Sequence, residues 1–180
     1  CSEAMTRIPD TDPDDTPLLE GLPPLVGART AVLVLGSFPS ARSLAARQYY
    51  AHPQNQFWKI LQAIWPAEPL PTGADSYQKR SDWLLERGLG LWDVYACCRR
   101  AGSLDSAIRD AEVNDIAALK LPRLSAIVHN GGESHRHARH TQALGVPVYK
   151  LPSTSPAHAA WSFERKLDAW REVIVAHGLA

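Results

Sequence analysis

The sequence predicts an α/β fold, a parallel sheet of four strands covered by helices on both faces. Two observations carry this. Four short apolar runs alternate with segments of helical spacing, the pattern of repeated βαβ units. Each run also ends in a loop rich in polar side chains, and parallel strands bring such loops to one edge. At 180 residues and 45% hydrophobic content, the chain can bury one core, which predicts a single folded domain.

Residues 1–27 hold six acids and one base, a balance of −5, and several prolines. They read as a loosely ordered acidic arm preceding a domain over 28–180. The remainder carries 18 bases against 13 acids, +5, so the body is modestly basic and permits contact with nucleic acid. The three cysteines, two of them adjacent (Cys97 and Cys98), give neither a disulfide framework nor the spacing of a zinc or iron–sulfur site. A reducing compartment, the cytoplasm, is expected. No apolar run is long enough for a membrane span, and no signal-peptide pattern is present.

The first strand is Ala31–Leu35, short, β-branched and closed by Gly36 and Pro39. Phe57, Trp58, Ile60, Leu61 and Ile64 fall at helical spacing and predict a helix from Gln54 to Trp65, ended by Pro66. Residues 66–74 hold three prolines and a glycine and form a loop. A helix over Ser76–Arg87 has Gly88 as its C-cap. Leu89–Tyr95 is the second strand. Short helices are expected over Ser103–Asp110, capped by Ser103, and over Val113–Leu121. Leu124–His129 is the third strand, followed by a polar helix, Glu133–Leu144. Val146–Leu151 is the fourth strand, and a last helix is expected from Ala157 to His177.

The chemistry concentrates where these strands end. The Asn55 amide is a neutral acceptor, too weak to be a general base, but able to orient water toward a strong electrophile. Its competing role is to cap the helix that starts beside it. Tyr50 can stack on a planar base or serve as a core aromatic. His52 can donate to a phosphate or base carbonyl, or stabilise the turn before Pro53. Asp93 ends the second strand and can meet a base's hydrogen-bonding edge or bond a nearby loop. Arg42, Arg47, Arg99 and Arg100 can meet phosphates. Ser153, Thr154 and Ser155, placed before a helix start, offer hydroxyls and N–H groups to an anion. His129, His135, His137 and His140 form a cluster that fits no standard zinc spacing. Ser37 after a strand raises a serine hydrolase, but Gly36-Ser37-Phe38-Pro39-Ser40 is not a nucleophile elbow.

Three blocks together resemble one superfamily: Gly36-Ser37-Phe38-Pro39-Ser40; Tyr50-Ala51-His52-Pro53-Gln54-Asn55-Gln56-Phe57-Trp58; and Ser153-Thr154-Ser155-Pro156-Ala157. They are similar to the uracil-DNA glycosylase superfamily, in its hypoxanthine-DNA glycosylase branch, and the middle block also to mismatch-specific uracil-DNA glycosylases. The resemblance spans Thr30 to the C-terminus. It implies a three-layer α/β/α sandwich with a central four-stranded parallel sheet. It also implies a monomeric, monofunctional enzyme of base excision repair, needing no metal or other cofactor. Such an enzyme flips a deaminated base (hypoxanthine first, uracil or xanthine in second place) out of DNA and hydrolyses its N-glycosidic bond.

The resemblance further implies that Asn55 is the catalytic amide, because Phe38 stands where other branches carry Asp or Asn. Gly36, Ser37, Phe38, Tyr50, His52 and Asp93 then surround the base. Ser40, Arg42, Arg99, Arg100, Ser153, Thr154, Ser155, Ala157 and His158 meet the DNA. Ser153 replaces a histidine of the uracil-specific branch, and Ala157 or His158 stands where a bulky wedge is usual. The alternative is a non-catalytic nucleobase- or DNA-binding member of the same fold.

Overall fold

The computed structural model describes residues 16–180. Its centre is a parallel sheet built from β2 (Val32–Gly36), β3 (Leu89–Asp93), β6 (Ala126–Asn130) and β7 (Val148–Leu151), in the order β3-β2-β6-β7. Successive side chains of a strand point to opposite faces. Val32, Val34, Leu91 and Val128 accordingly join one core, and Leu33, Leu35 and Ile127 the other. Burial on both faces is why these strands read as continuous apolar runs.

The first core lies under three helices: α2 (Phe57–Ile64), α3 (Tyr77–Glu86) and α6 (Phe163–Ala176). Phe57, Ile60, Leu61 and Ile64 form one stripe of α2 and are buried against the sheet. Trp170 of α6 meets the Phe57 ring edge-on at 6.1 Å. Helix α2 starts at Phe57 rather than Gln54, because residues 52–55 form a turn closed by the Asn55 N–H on the His52 carbonyl.

The other face departs from expectation. The segments read as helices over Ser103–Asp110 and Val113–Leu121 form only 3₁₀ turns, Asp105–Ala107 and Ile116–Leu119. Between them runs a strand, β5 (Arg109–Val113). It joins an antiparallel sheet, β1-β4-β5, with β1 (Leu18–Glu20) and β4 (Tyr95–Arg99). After β3 the chain peels off the parallel sheet, with the Val94 N–H still bonded to the Gly36 carbonyl. The backbone of β4 then finds partners on both sides, and that pairing overrides the weak helical preference of short segments.

Residues 1–15 of the expected arm lie outside the described residues. Its remainder packs on the body: β1 pairs with β4, Leu22 is buried, and the Tyr49 hydroxyl donates to the Pro23 carbonyl at 2.7 Å. The polar helix is broken into α4 (Gly132–His135) and α5 (Ala138–Gln142). One buried ring, His129, bonds a hydroxyl on each piece and sets the bend. The last helix starts at Phe163, capped by the Ser162 hydroxyl, and not at Ala157. No helix among the described residues is long and apolar enough to cross a membrane.

Candidate active site

Strand order reverses around β2, whose neighbours β3 and β6 are reached by successive crossovers in opposite directions. Open α/β sheets bind ligands outside the carboxyl ends of strands at such a point. A cavity of about 480 Å³ opens there. Its walls come from the ends of β2, β3 and β6, from the segments after β2, β4, β6 and β7, and from the turn holding Tyr50, His52 and Asn55.

The floor is formed where β2 and β3 end side by side. Gly36 and Asp93 are register partners, and a β-carbon on Gly36 would stand 2.5 Å from Asp93 Oδ1. Only glycine fits. Asp93 is 5% exposed, and its Oδ2 has no hydrogen-bond partner among the described residues. Burial pushes this carboxyl up to about 7, with the nearby Asp105 charge adding and Arg100 opposing. A buried carboxylate whose Oδ2 has no partner is costly when ionised, so the group keeps its proton up to about pH 7.

Asn55 is half-buried on the wall. Its Oδ1 accepts the Phe57 N–H at 2.9 Å, which satisfies one orphan donor of α2 and fixes the amide plane. The helix-capping role is therefore real. It leaves a second lone pair on the same oxygen. His52 also performs its turn role, Nδ1 accepting the Gln54 N–H at 3.1 Å, while lining the cavity.

Tyr50 adopts a left-handed backbone, φ 54°, which costs a non-glycine residue about 1–2 kcal/mol. Phe57 stacked at 4.2 Å and the Asn130 amide donating to its hydroxyl at 3.2 Å hold it there. Asn130 is a residue the sequence reading did not single out. Its Oδ1 accepts the Thr154 N–H at 3.0 Å, and its Nδ2 donates to Thr154 Oγ1 at 3.0 Å. The Thr154 carbonyl in turn accepts the Gln56 N–H. One amide thus locks the end of β6, the loop after β7 and the Tyr50–Asn55 turn together. The available signal was an Asn at a strand end before Gly131-Gly132. Gly131 has φ 95°, which lets the chain turn against Ser153.

The loop after β7 is not a helix start. Ser153 and Ser155 bend it by accepting the Ser155 and Ala157 N–H groups. Helix α6 grips it from behind: Trp170 donates to the Pro152 carbonyl and the buried Lys166 ammonium to that of His158. Ala157 is left exposed at the rim, with His158 half-buried beside it.

One expected phosphate contact is corrected. Arg100 is 4% exposed, lies 5.2 Å over the Phe38 ring and donates to the Gly102 and Pro39 carbonyls, so it braces the cavity wall from behind. Arg99, half-exposed at the end of β4, does not line the cavity and is tied to Asp110 and to the Thr16 carbonyl. Arg42 is exposed on α1 (Ala41–Ala46), the helix capped by Ser40. Ser37 gives its proton to Asp105 Oδ1 at 2.6 Å, which removes the hydrolase reading. The His129 ring spends both nitrogens on Ser134 and Thr141, and burial pushes it down to about 4. His137 meets the Tyr95 hydroxyl at 2.9 Å.

A Hypoxanthine DNA glycosylase of Methanosarcina barkeri is 34% identical over 159 residues, covering 85% of this chain and 96% of that protein. One of Methanosarcina acetivorans is 36% identical over 156 residues, with the same coverage of 85% and 96%. A solution NMR structure from Methanosarcina acetivorans, provisionally described as a uracil DNA glycosylase, superposes with a TM-score of 0.76 at 34% identity. It covers 89% of this chain and 98% of that one. Residues 23–174 match the model of the Uracil DNA glycosylase superfamily, and with two curated relatives aligned over most of its length the chain belongs to that superfamily.

Proposed function

We propose that the cavity receives a deaminated base flipped out of DNA, hypoxanthine first, and that Asn55 holds the water that completes hydrolysis of its N-glycosidic bond. The chain is a DNA N-glycosylase by family and relatives. The base preference rests on the two relatives named Hypoxanthine DNA glycosylase and on the chemistry of Asp93. The carrying observation is that the Asn55 amide, aimed by its bond to Phe57, shares one cavity with the buried Asp93 carboxyl, whose Oδ2 has no partner among the described residues.

A protonated carboxyl presents one donor beside one acceptor. That matches the lactam edge of hypoxanthine, a carbonyl next to an N–H, and the equivalent edge of uracil. Asp93 accepts from the N–H and donates to the carbonyl oxygen. This second bond strengthens as the C1′–N bond breaks and its electron pair flows into the base. The sugar is left as an oxocarbenium ion. Water held on the free lone pair of Asn55 Oδ1 adds to C1′, one of its protons ends on the departed base, and an abasic site remains. A cation of this kind needs an oriented water rather than a strong base, which a neutral amide supplies. Tyr50 offers a ring already flattened against Phe57 on which the flipped base stacks.

Duplex oligonucleotides containing deoxyinosine or deoxyuridine test the proposal. Wild-type protein yields abasic sites, deoxyinosine faster. Serine caps helices as well as asparagine, so Asn55→Ser keeps stability within about 0.5 kcal/mol while excision falls about a hundredfold or more. Equal rates for Asn55→Ser and wild type would refute the water-holding role. Wild-type binding to deoxyinosine DNA without cleavage would favour the non-catalytic alternative.

A further inference from the structure

The rim that Ala157 shares carries a feature that the proposed chemistry leaves unused. Leu104 is 60% exposed, the most exposed of the large apolar side chains among the described residues. The others, Leu18, Val113 and Val175, lie away from the cavity, whereas Leu104 lines its mouth. A single exposed leucine is ordinary. The anchoring of this one is not. Ser103 Oγ accepts the Ala41 N–H at 3.0 Å, and Asp105 Oδ1 accepts the Ser37 hydroxyl at 2.6 Å. Both neighbours of Leu104 are thus tied to the segment after β2. Below them the buried Arg100 bonds the Gly102 and Pro39 carbonyls. The tip cannot fold back onto the body, so the apolar side chain is held out at the mouth.

A flipped nucleotide leaves a gap in the duplex stack, and glycosylases need something to occupy it. The loop after β7 offers Pro156 and Ala157, both smaller than leucine, and a half-buried His158. We infer that Leu104, from the loop after β4, is the wedge that enters the stack as the damaged nucleotide leaves it. The inference rests on the base-flipping reading above. Arg42, next in sequence to the Ala41 that holds Ser103, is exposed beside this loop and meets the flanking phosphate.

The test compares Leu104→Ala, Leu104→Phe and wild type on deoxyinosine in duplex and in single-stranded oligonucleotides. Val175→Ala, on the exposed side of α6, is the control. Leu104→Ala melts like wild type, loses duplex excision by about tenfold or more, and keeps single-strand excision within about twofold, because no stack has to be opened. Leu104→Phe restores duplex excision; Val175→Ala changes neither rate. Undiminished duplex excision by Leu104→Ala, or equal losses on both substrates, overturns the wedge. A second reading does not depend on cleavage: 2-aminopurine placed next to the deoxyinosine brightens when unstacked. A wild-type rise that Leu104→Ala lowers supports the wedge even if no base is released, and an equal rise overturns it. Absence of excision by wild type on both substrates counts against the glycosylase reading alone.

Discussion

Asp93 and Gly36 lie side by side at the ends of adjacent parallel strands with no room for a carbon between them; a β-carbon on Gly36 would reach within 2.5 Å of Asp93 Oδ1 and 3.4 Å of the Tyr50 hydroxyl. The Gly36→Ala variant must therefore push the carboxyl into the cavity or spread the strands. Overpacking of this kind costs about 1–3 kcal/mol. Displacing the floor by a fraction of an ångström to 1 Å lowers excision by about a hundredfold. Denaturant unfolding and single-turnover excision check the two effects separately. In Gly36→Ala/Asp93→Ala the clash is gone, so stability returns while excision stays low.

On the proposed reading of the base by Asp93, its protonation state sets the pH dependence of activity. The groups acting on it are Asp105, which raises it after burial, and Arg100, which lowers it, with Tyr49 and Tyr50 neutral alongside. With the carboxyl held up to about 7, kcat/KM for deoxyinosine in DNA is flat below that pH and falls above it. The ionised form has only acceptors, and sets an oxygen against the base carbonyl. An asparagine keeps a donor and an acceptor at every pH. Asp93→Asn therefore retains excision and stays flat to about pH 8.5, well above the window in which the wild-type carboxyl ionises. A wild-type profile identical to that of Asp93→Asn would remove Asp93 from base recognition.

The same proton has a stability signature of opposite sign to the usual carboxylate. Asp93 titrates near 3.8 when unfolded and about 7 when folded, so the folded state binds the extra proton between those values. Stability contributed by this group is complete below about 4, declines through the window and is lost above about 7, a total on the order of 4 kcal/mol. His129 works against it: held neutral down to about 4 from 6.5, it makes stability rise with pH over that interval. The two slopes nearly cancel in wild type between pH 4 and 6.5. Asp93→Asn removes one of them. Its unfolding free energy relative to wild type thus grows from pH 5 to about pH 7 and levels off above it, measured by urea titration.

The central sheet was legible because its strands are buried on both faces and announce themselves as apolar runs ended by turn residues. The site was legible for the same reason, since Gly36, Asp93 and the Ser153 loop follow strand ends, and strand ends in a parallel sheet share an edge. What escaped was whatever depended on partners far away in sequence. Residues 109–113 carry no apolar alternation and become a strand only because β4 offers an edge. Leu104 was absorbed into an expected helix, where an apolar side chain reads as core. Arg100 looked like a surface cation beside Arg99, yet the Pro39 and Gly102 carbonyls draw it inside. Asn130 gives only the weak signal of an Asn at a strand end before two glycines; its importance lies in three bonds to residues 24 and 80 positions distant.

Those three bonds make Asn130 the residue whose replacement should damage the site most while leaving the sheet intact. The Asn130→Asp variant keeps the shape and the acceptor for the Thr154 N–H but loses the donor to Thr154 Oγ1 and the Tyr50 hydroxyl. It also adds a carboxylate beside the Tyr50 hydroxyl, in a poorly solvated place that penalises the charge. Breaking a buried hydrogen-bond pair in this way costs about 1–3 kcal/mol, concentrated in the cavity walls rather than spread over the core. Released from Asn130, Tyr50 leaves its left-handed conformation and with it the stacking position over Phe57. Excision of hypoxanthine is expected to fall about a hundredfold. Hydrogen exchange should quicken at the Thr154 and Gln56 amides and stay unchanged in β2, whose N–H groups are bonded within the sheet. Unchanged exchange at Thr154 with full activity would show that the lock is dispensable, and would leave Phe57 alone to hold Tyr50 in place.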